Sequence, residues 1–235
     1  MISTVLFDLD GTLIHMDQDL FLKHYFGHIS KHFAALGYDA EKFAKSLIKS
    51  VITMLKNDGK RLNCEVFWES FCMLYGEDLT RDRDKFDRFY ATDYEALRQF
   101  CGPKPHSADC LAGLQKMGLR LVLASNPVYP PVAYEKRMSW GNLTPTPFDL
   151  MTTYENMHFC KPSVEYFLEI AEMMRVSPGE CLMVGNDVSD DMPAKKAGMQ
   201  TFLLTDYLLN PQNKDVSIYP QGDYAALMRY IEENR

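Results

Sequence analysis

The chain has 235 residues, 46% hydrophobic and 24% charged, which excludes disorder and is long enough for one buried core plus a sizeable insertion. A formal net charge of -7, with Lys and Arg scattered rather than gathered in blocks, argues against a nucleic-acid surface and favours a small substrate. No run approaches the roughly 18 consecutive apolar residues of a membrane span, and the first strand pattern starts at the second residue with no basic leader, so a cytoplasmic protein is expected.

Residues 2 to 7 (ISTVLF) form a short apolar, β-branched run that ends in the polar turn DLDGT, the pattern of a buried strand carrying functional residues at its C-terminal end. From 15 to about 100 the pattern changes to successive amphipathic helices without a strand. Phe21, Tyr25, Ile29 and Phe33 make one stripe; Phe43, Leu47, Ile48, Val51, Ile52 and Leu55 make another, and Asp58-Gly59 marks a turn after it. Residues 20 to 100 hold 15 aromatic residues, nine Phe, five Tyr and one Trp, which predicts a compact helical subdomain with its own small core. Three further strand patterns follow, LRLVLASN at 119–126, CLMVGND at 181–187 and QTFLLTD at 200–206. Helical spacing at Val164, Phe167, Leu168 and Ala171 lies among them. Alternation of this kind predicts parallel strands joined by right-handed crossovers, a doubly wound α/β core. The expected division is a core of residues 1–14 and 102–235 with a helical cap at 15–101.

Asp8 and Asp10 stand two apart at a strand end, so both carboxylates point the same way if the strand persists that far. Two carboxylates in one small space repel, and a hard cation between them relieves this; Mg²⁺, which takes oxygen ligands, suits the site. Gly11 permits a tight turn, and the Thr12 hydroxyl either holds that turn or binds a phosphate. Each later strand also ends in a residue type that phosphoryl transfer needs. Ser125 and Asn126 offer a hydroxyl, an amide and backbone N–H groups. Lys161, followed by Pro162 at an expected first helical position, offers a point charge. Asp187, Asp190 and Asp191 offer carboxylates. In a parallel sheet all strand C-termini lie on one edge, so these separated residues can converge.

In this order the four motifs resemble those of the haloacid dehalogenase superfamily: DLDGT at 8–12, Ser125, Lys161 in CKPSVEYF, and GNDVSDD at 185–191. The resemblance spans residues 1 to about 14 and 102 to 206, and the helices between the first two motifs resemble that superfamily's first cap type. It implies that Asp8 is a nucleophile that becomes phosphorylated and Asp10 the general acid and then base. By the same resemblance Asp8, the Asp10 carbonyl and Asp187 ligate Mg²⁺, while Ser125 and Lys161 hold phosphoryl oxygens. Asn186 interrupts the usual Gly-Asp of the fourth motif, so the carboxylate pair is Asp187 with Asp191 or with Asp190; the spacing of three intervening residues favours Asp191. The implied activity is a Mg²⁺-dependent phosphatase acting on a small phosphorylated metabolite. Dehalogenases lack the second aspartate of the first motif, so Asp10 argues for phosphoryl transfer. A phosphomutase and a non-catalytic phosphate-binding or signalling relative are the alternatives.

Other reactive residue types carry simpler readings. The six cysteines have no metal-binding spacing and read as reduced thiols. His24, His28 and His32 recur at i, i+4 and i+8, a spacing that can hold a transition metal but more often marks the polar flank of a helix. His158 is close in sequence to Lys161 yet needs no role there. No heptad seam commits the chain to an oligomeric state.

Overall fold

The computed structural model describes residues 1–145 and 148–235. In chain order it contains β1 (Thr4–Phe7), β2 (Ile14–Met16), α1 (Gln18–Ala35), α2 (Ala40–Met54), α3 (Asn63–Tyr75) and α4 (Arg83–Ala91). A 3-10 segment at Asp93–Phe100 leads to β3 (Cys101–Pro103), α5 (Ser107–Lys116), β4 (Arg120–Leu123), α6 (Pro131–Trp140) and β5 (Leu150–Met151). The chain closes with α7 (Val164–Met174), β6 (Cys181–Gly185), β7 (Gln200–Leu204), β8 (Gln221–Gly222) and α8 (Tyr224–Asn234).

Six of these strands form one parallel sheet in the order β5-β4-β1-β6-β7-β8. Each strand of the centre is apolar on both faces because both are covered. Val5, Phe7, Leu121 and Leu123 pack with Leu111, Leu114 and Leu227 of α5 and α8 on one side. Leu6, Val122 and Met183 pack with Tyr166, Phe167 and Ile170 of α7 on the other. Period-2 alternation thus feeds two separate clusters, which is the doubly wound α/β architecture expected from the sequence. The strand order reverses at β1, since the chain moves outward through β4 and β5 on one side and through β6, β7 and β8 on the other. Ligands bind at such a switch point, outside the strand C-termini.

The segment between β2 and β3 is helical. Asp17 caps α1 by accepting from the Leu20 N–H at 3.1 Å, and Asp39 caps α2 through Lys42 N–H at 2.9 Å. Phe21, Tyr25, Ile29 and Phe33 are all buried along one face of α1. On α2 the stripe divides: Phe43 and Leu47 are buried, whereas Ile48, Ile52 and Leu55 reach solvent. Gly59, in the turn after α2, adopts a φ of +81° and lies under the Phe159 ring, where a side chain would collide.

The structure adds strands that patterning did not reveal. β2 and β3 pair antiparallel, joining the two ends of the helical segment. β5 and β8, two residues each, extend the sheet at its edges. Pro162 does not open α7; Ser163 is the cap, accepting from Glu165 N–H at 3.2 Å, and the helix starts at Val164. A capping serine satisfies an end N–H that proline at the first turn would only omit.

Candidate active site

The turn after β1 is bolted from three directions. The Lys104 ammonium donates to the Gly11 carbonyl at 3.0 Å, the Tyr224 hydroxyl donates to the Thr12 carbonyl, and the Thr12 hydroxyl donates to Asn186 Oδ1 at 2.9 Å. Gly11 has a φ of +81°, and a Cβ there would lie 2.5 Å from the Asn186 amide. Thr12 is fully buried. Of the two roles open to it, its hydroxyl is engaged in holding the turn, because it faces the loop after β6 rather than the cavity.

Asp8 and Asp10 line one cavity together with Ser125 and Asn126 after β4, Lys161 before α7, and Asp187, Asp190 and Asp191 after β6. Lys161 sits between two carboxylates, 2.9 Å from Asp8 Oδ1 and 2.6 Å from Asp191 Oδ1. Burial works against its charge, and Asp191 and Asp8 more than offset that, so its pKa lies well above the usual lysine value. The Asp191 carboxyl is raised by the same burial, with Lys161 opposing.

Asp191 was expected among the metal ligands, but both its oxygens are taken. Oδ1 faces Lys161 and Oδ2 accepts from the Asp187 N–H at 2.9 Å. Gly185 makes this possible, since any Cβ at that position would collide with the Asp191 carboxylate. Asp187 Oδ1 accepts from the N–H groups of Ser189 at 2.6 Å and Asp190 at 3.0 Å. Asp190 contacts the Asn126 side chain, and burial raises its carboxyl pKa. Asp187 and Asp190 are the half-buried carboxylates of this loop.

Asp10 is paired in a way that the sequence reading missed. Arg137 of α6 donates from Nη1 to Asp10 Oδ2, and its side chain is only 1% exposed. The guanidinium lies 4.8 Å from the ring centroids of both Tyr129 and Tyr134. Burial pushes the Asp10 carboxyl up to about 6, opposed by Arg137 and assisted by Asp8. Arg137 itself stays charged: burial acts against it, but Asp10 and the surrounding tyrosines raise its pKa. A sequence signal existed, because Arg137 falls on the buried face of α6 with Ala133, Tyr134 and Met138. An arginine inside an apolar stripe requires a partner.

The other flagged residues lie outside this cluster. His158 pairs with Glu169 at 2.6 Å, His24 stacks on Phe100, and His32 pairs with Asp93 at 2.7 Å. Among the described residues no three His, Cys, Asp or Glu side chains converge as a metal site by themselves. A cation here would therefore draw on the Asp8 and Asp187 carboxylates, the Asp10 carbonyl, water and substrate oxygens. Such mixed oxygen sets suit Mg²⁺, which keeps several waters. The cavity fits it electrostatically as well: five aspartates line this end against Lys161 and Arg137, both already paired.

The model of the haloacid dehalogenase-like hydrolase family matches residues 2–198. The chain belongs to the haloacid dehalogenase-like hydrolases. This hydrolase is 25% identical over 201 residues to the pyrophosphatase PpaX of Bacillus mycoides, a match covering 85% of this chain and 82% of that one. It is 32% identical over 124 residues to the phosphoglycolate phosphatase of Shigella boydii, covering 52% of this chain and 46% of the relative. The crystal structure of a phosphatase of this superfamily from Thermococcus onnurineus superposes with a TM-score of 0.58 at 20% identity, covering 98% of each chain. Among the described residues no helix is long and apolar enough to cross a membrane.

Proposed function

We propose that this haloacid dehalogenase-like hydrolase is a Mg²⁺-dependent phosphatase that transfers the phosphoryl group of a small phosphorylated metabolite to Asp8 and then to water. The observation that carries this reading is the convergence of Asp8, Asp10, Ser125, Lys161 and Asp187 on one cavity at the strand C-termini. Phosphoryl transfer is catalysed chiefly by positioning and charge stabilisation, and these residue types supply both.

An Asp8 carboxylate oxygen forms a bond to phosphorus as the bond from phosphorus to the alcohol oxygen breaks. Asp10 gives its proton to that oxygen, so the alcohol leaves neutral. Asp10, now ionised, takes a proton from a water whose oxygen attacks the same phosphorus, releasing inorganic phosphate and restoring Asp8. Lys161 fixes Asp8 and offsets charge on the phosphoryl oxygens, while Ser125 and Asn126 donate hydrogen bonds to them. Arg137 orients Asp10. Asp191 acts through Lys161 and through the Asp187 backbone. Bound Mg²⁺, held by Asp8, the Asp10 carbonyl and Asp187, would neutralise negative charge and orient the phosphate. The helices between β2 and β3 act as a cap that excludes water.

Burial pushes the Asp10 pKa up to about 6, which supports its role, since a proton donor serves best with a pKa near the working pH. The test is steady release of phosphate from an aryl phosphate. It is expected to require Mg²⁺ and to be lost in Asp8→Asn; release undiminished by either change would defeat the reading.

A further inference from the structure

We propose that the substrate of this site is a phosphomonoester whose alcohol carries a flat aromatic or heteroaromatic group and no second anion. The proposal rests on the phosphatase reading and specifies what fills the rest of the cavity.

The cavity that begins at Asp8 has a volume of about 480 Å³ and continues among the helices between β2 and β3. That volume falls in the range of pockets that enclose drug-sized ligands, roughly 300–1,000 Å³, and far exceeds what a two-carbon acid or inorganic pyrophosphate needs beyond its transferred phosphoryl group. Phe21, Tyr25, Trp68, Tyr129 and Tyr154 face it, with Val51 and Leu55 beside them. These aromatic residues belong to the apolar core and also form a wall, so they present ring faces and edges to whatever enters.

Charge decides against an anionic leaving group. Among the described residues lining the cavity there are seven carboxylates and three cations. Lys161 is committed to Asp8 and Asp191, and Arg137 to Asp10. The third cation, Arg83, lies 5.1 Å from the Trp68 ring at the solvent-exposed end, where Glu155 and Asp87 share its field. A carboxylate or second phosphate on the leaving group would therefore find only the exposed Arg83 to meet it, beside Glu155 and Asp87, in a cavity with seven carboxylates. A neutral ring, or one carrying N–H donors or a positive charge, would meet aromatic walls first and the carboxylates Glu155 and Asp87 beyond them. The chain thus departs from what the names of its relatives would suggest, because phosphoglycolate and pyrophosphate each add an anion beside the transferred phosphoryl group.

The experiment compares kcat/KM of the full chain, with Mg²⁺, for 2-phenylethyl phosphate, ethyl phosphate, 2-phosphoglycolate and pyrophosphate. The first two share an alkoxide leaving group, so aryl activation does not enter their comparison. Burial of a phenyl ring predicts a preference for 2-phenylethyl over ethyl phosphate of roughly 10–100-fold, with 2-phosphoglycolate and pyrophosphate at or below ethyl phosphate. In Leu55→Lys, at a position 39% exposed, the preference is expected to shift toward 2-phosphoglycolate. A wild-type preference for either dianionic compound overturns the inference and leaves the phosphatase reading standing. Absence of phosphate release from all four defeats the phosphatase reading instead. Calorimetric binding to Asp8→Asn then decides the cavity's preference by itself: 2-phenylethyl phosphate bound about tenfold more tightly than 2-phosphoglycolate supports it, and equal or weaker binding overturns it.

Discussion

Arg137 on α6 and Asp10 after β1, 127 residues apart in sequence, form a buried ion pair with the guanidinium enclosed by Tyr129 and Tyr134. Two consequences follow from its burial. Removing one partner strands a charge in a medium that solvates it poorly, which costs about 3–5 kcal/mol, whereas removing both is far milder. The pair also fixes the Asp10 carboxylate through Oδ2, while among the described residues the buried Oδ1 has no hydrogen-bond partner.

Arg137→Met is therefore expected to lower thermal stability and to reduce kcat by roughly 10²–10⁴-fold, the range for loss of general acid–base help. The double variant Arg137→Met with Asp10→Asn should recover most of the stability and none of the activity. A purely structural arginine would affect all substrates alike. The account predicts instead a larger loss with an alkyl phosphate than with 4-nitrophenyl phosphate, whose leaving group needs little protonation. Equal losses with both would contradict it.

Metal removal separates Asp187 from Asp191. A ligand present at 100 times its dissociation constant stabilises by about 2.7 kcal/mol, which for a chain of this size corresponds to roughly 5–10 °C in Tm. Adding Mg²⁺ is expected to raise the Tm of the wild type by that amount and to support activity that a chelator abolishes. Asp187→Asn should blunt the shift. Asp191→Asn, which removes one of the two carboxylates that hold Lys161, should lower Tm with and without Mg²⁺ while the shift itself persists. Thermal unfolding of the three proteins across a Mg²⁺ titration checks this.

Gly185 tests the contact that aims Lys161. Any Cβ there collides with the Asp191 carboxylate, so Gly185→Ala must displace Asp191 and with it Lys161. A loss of about 1–3 kcal/mol is expected from the overpacking, together with a fall in kcat exceeding the change in KM. Wild-type kcat in a stable Gly185→Ala protein would show that Lys161 does not depend on Asp191.

Legibility in the sequence followed the range of the interactions. The four long strand patterns were readable because buried β-branched runs are local signals, and their C-terminal residues meet on one edge of any parallel sheet. β5 and β8 have two residues each, too few for a period, and β2 with β3 exists only through pairing across more than 80 residues. Thr12 was ambiguous for the same reason: the direction of its hydroxyl is set by Asn186, which is 174 residues away. The aromatic residues at helix spacing read as packing, and most are; which ring edges also line a cavity depends on how the helices between β2 and β3 sit over the sheet. Arg137 carried a readable contradiction, a charge in a buried stripe, but its partner was not readable.

Thiol chemistry checks the burial pattern independently. Burial pushes the Cys101, Cys110 and Cys160 thiols up to about 12 and Cys181 up to about 11. With a pKa of 12 the reactive thiolate is on the order of 10⁻⁴ of the total at pH 8. A disulfide reagent is expected to modify half-buried Cys72 and Cys64 first in the native protein and all six after denaturation. Rapid native modification of Cys160, beside Lys161, would contradict the packing described around the site.

The central claim is a covalent phosphoryl group on Asp8, and acid quenching during turnover tests it most directly. Wild-type protein mixed with substrate and Mg²⁺, quenched and digested, is expected to yield a phosphorylated peptide containing Asp8, and Asp8→Asn none. Turnover without that adduct in the wild type, or an undiminished rate in Asp8→Asn, would contradict the account.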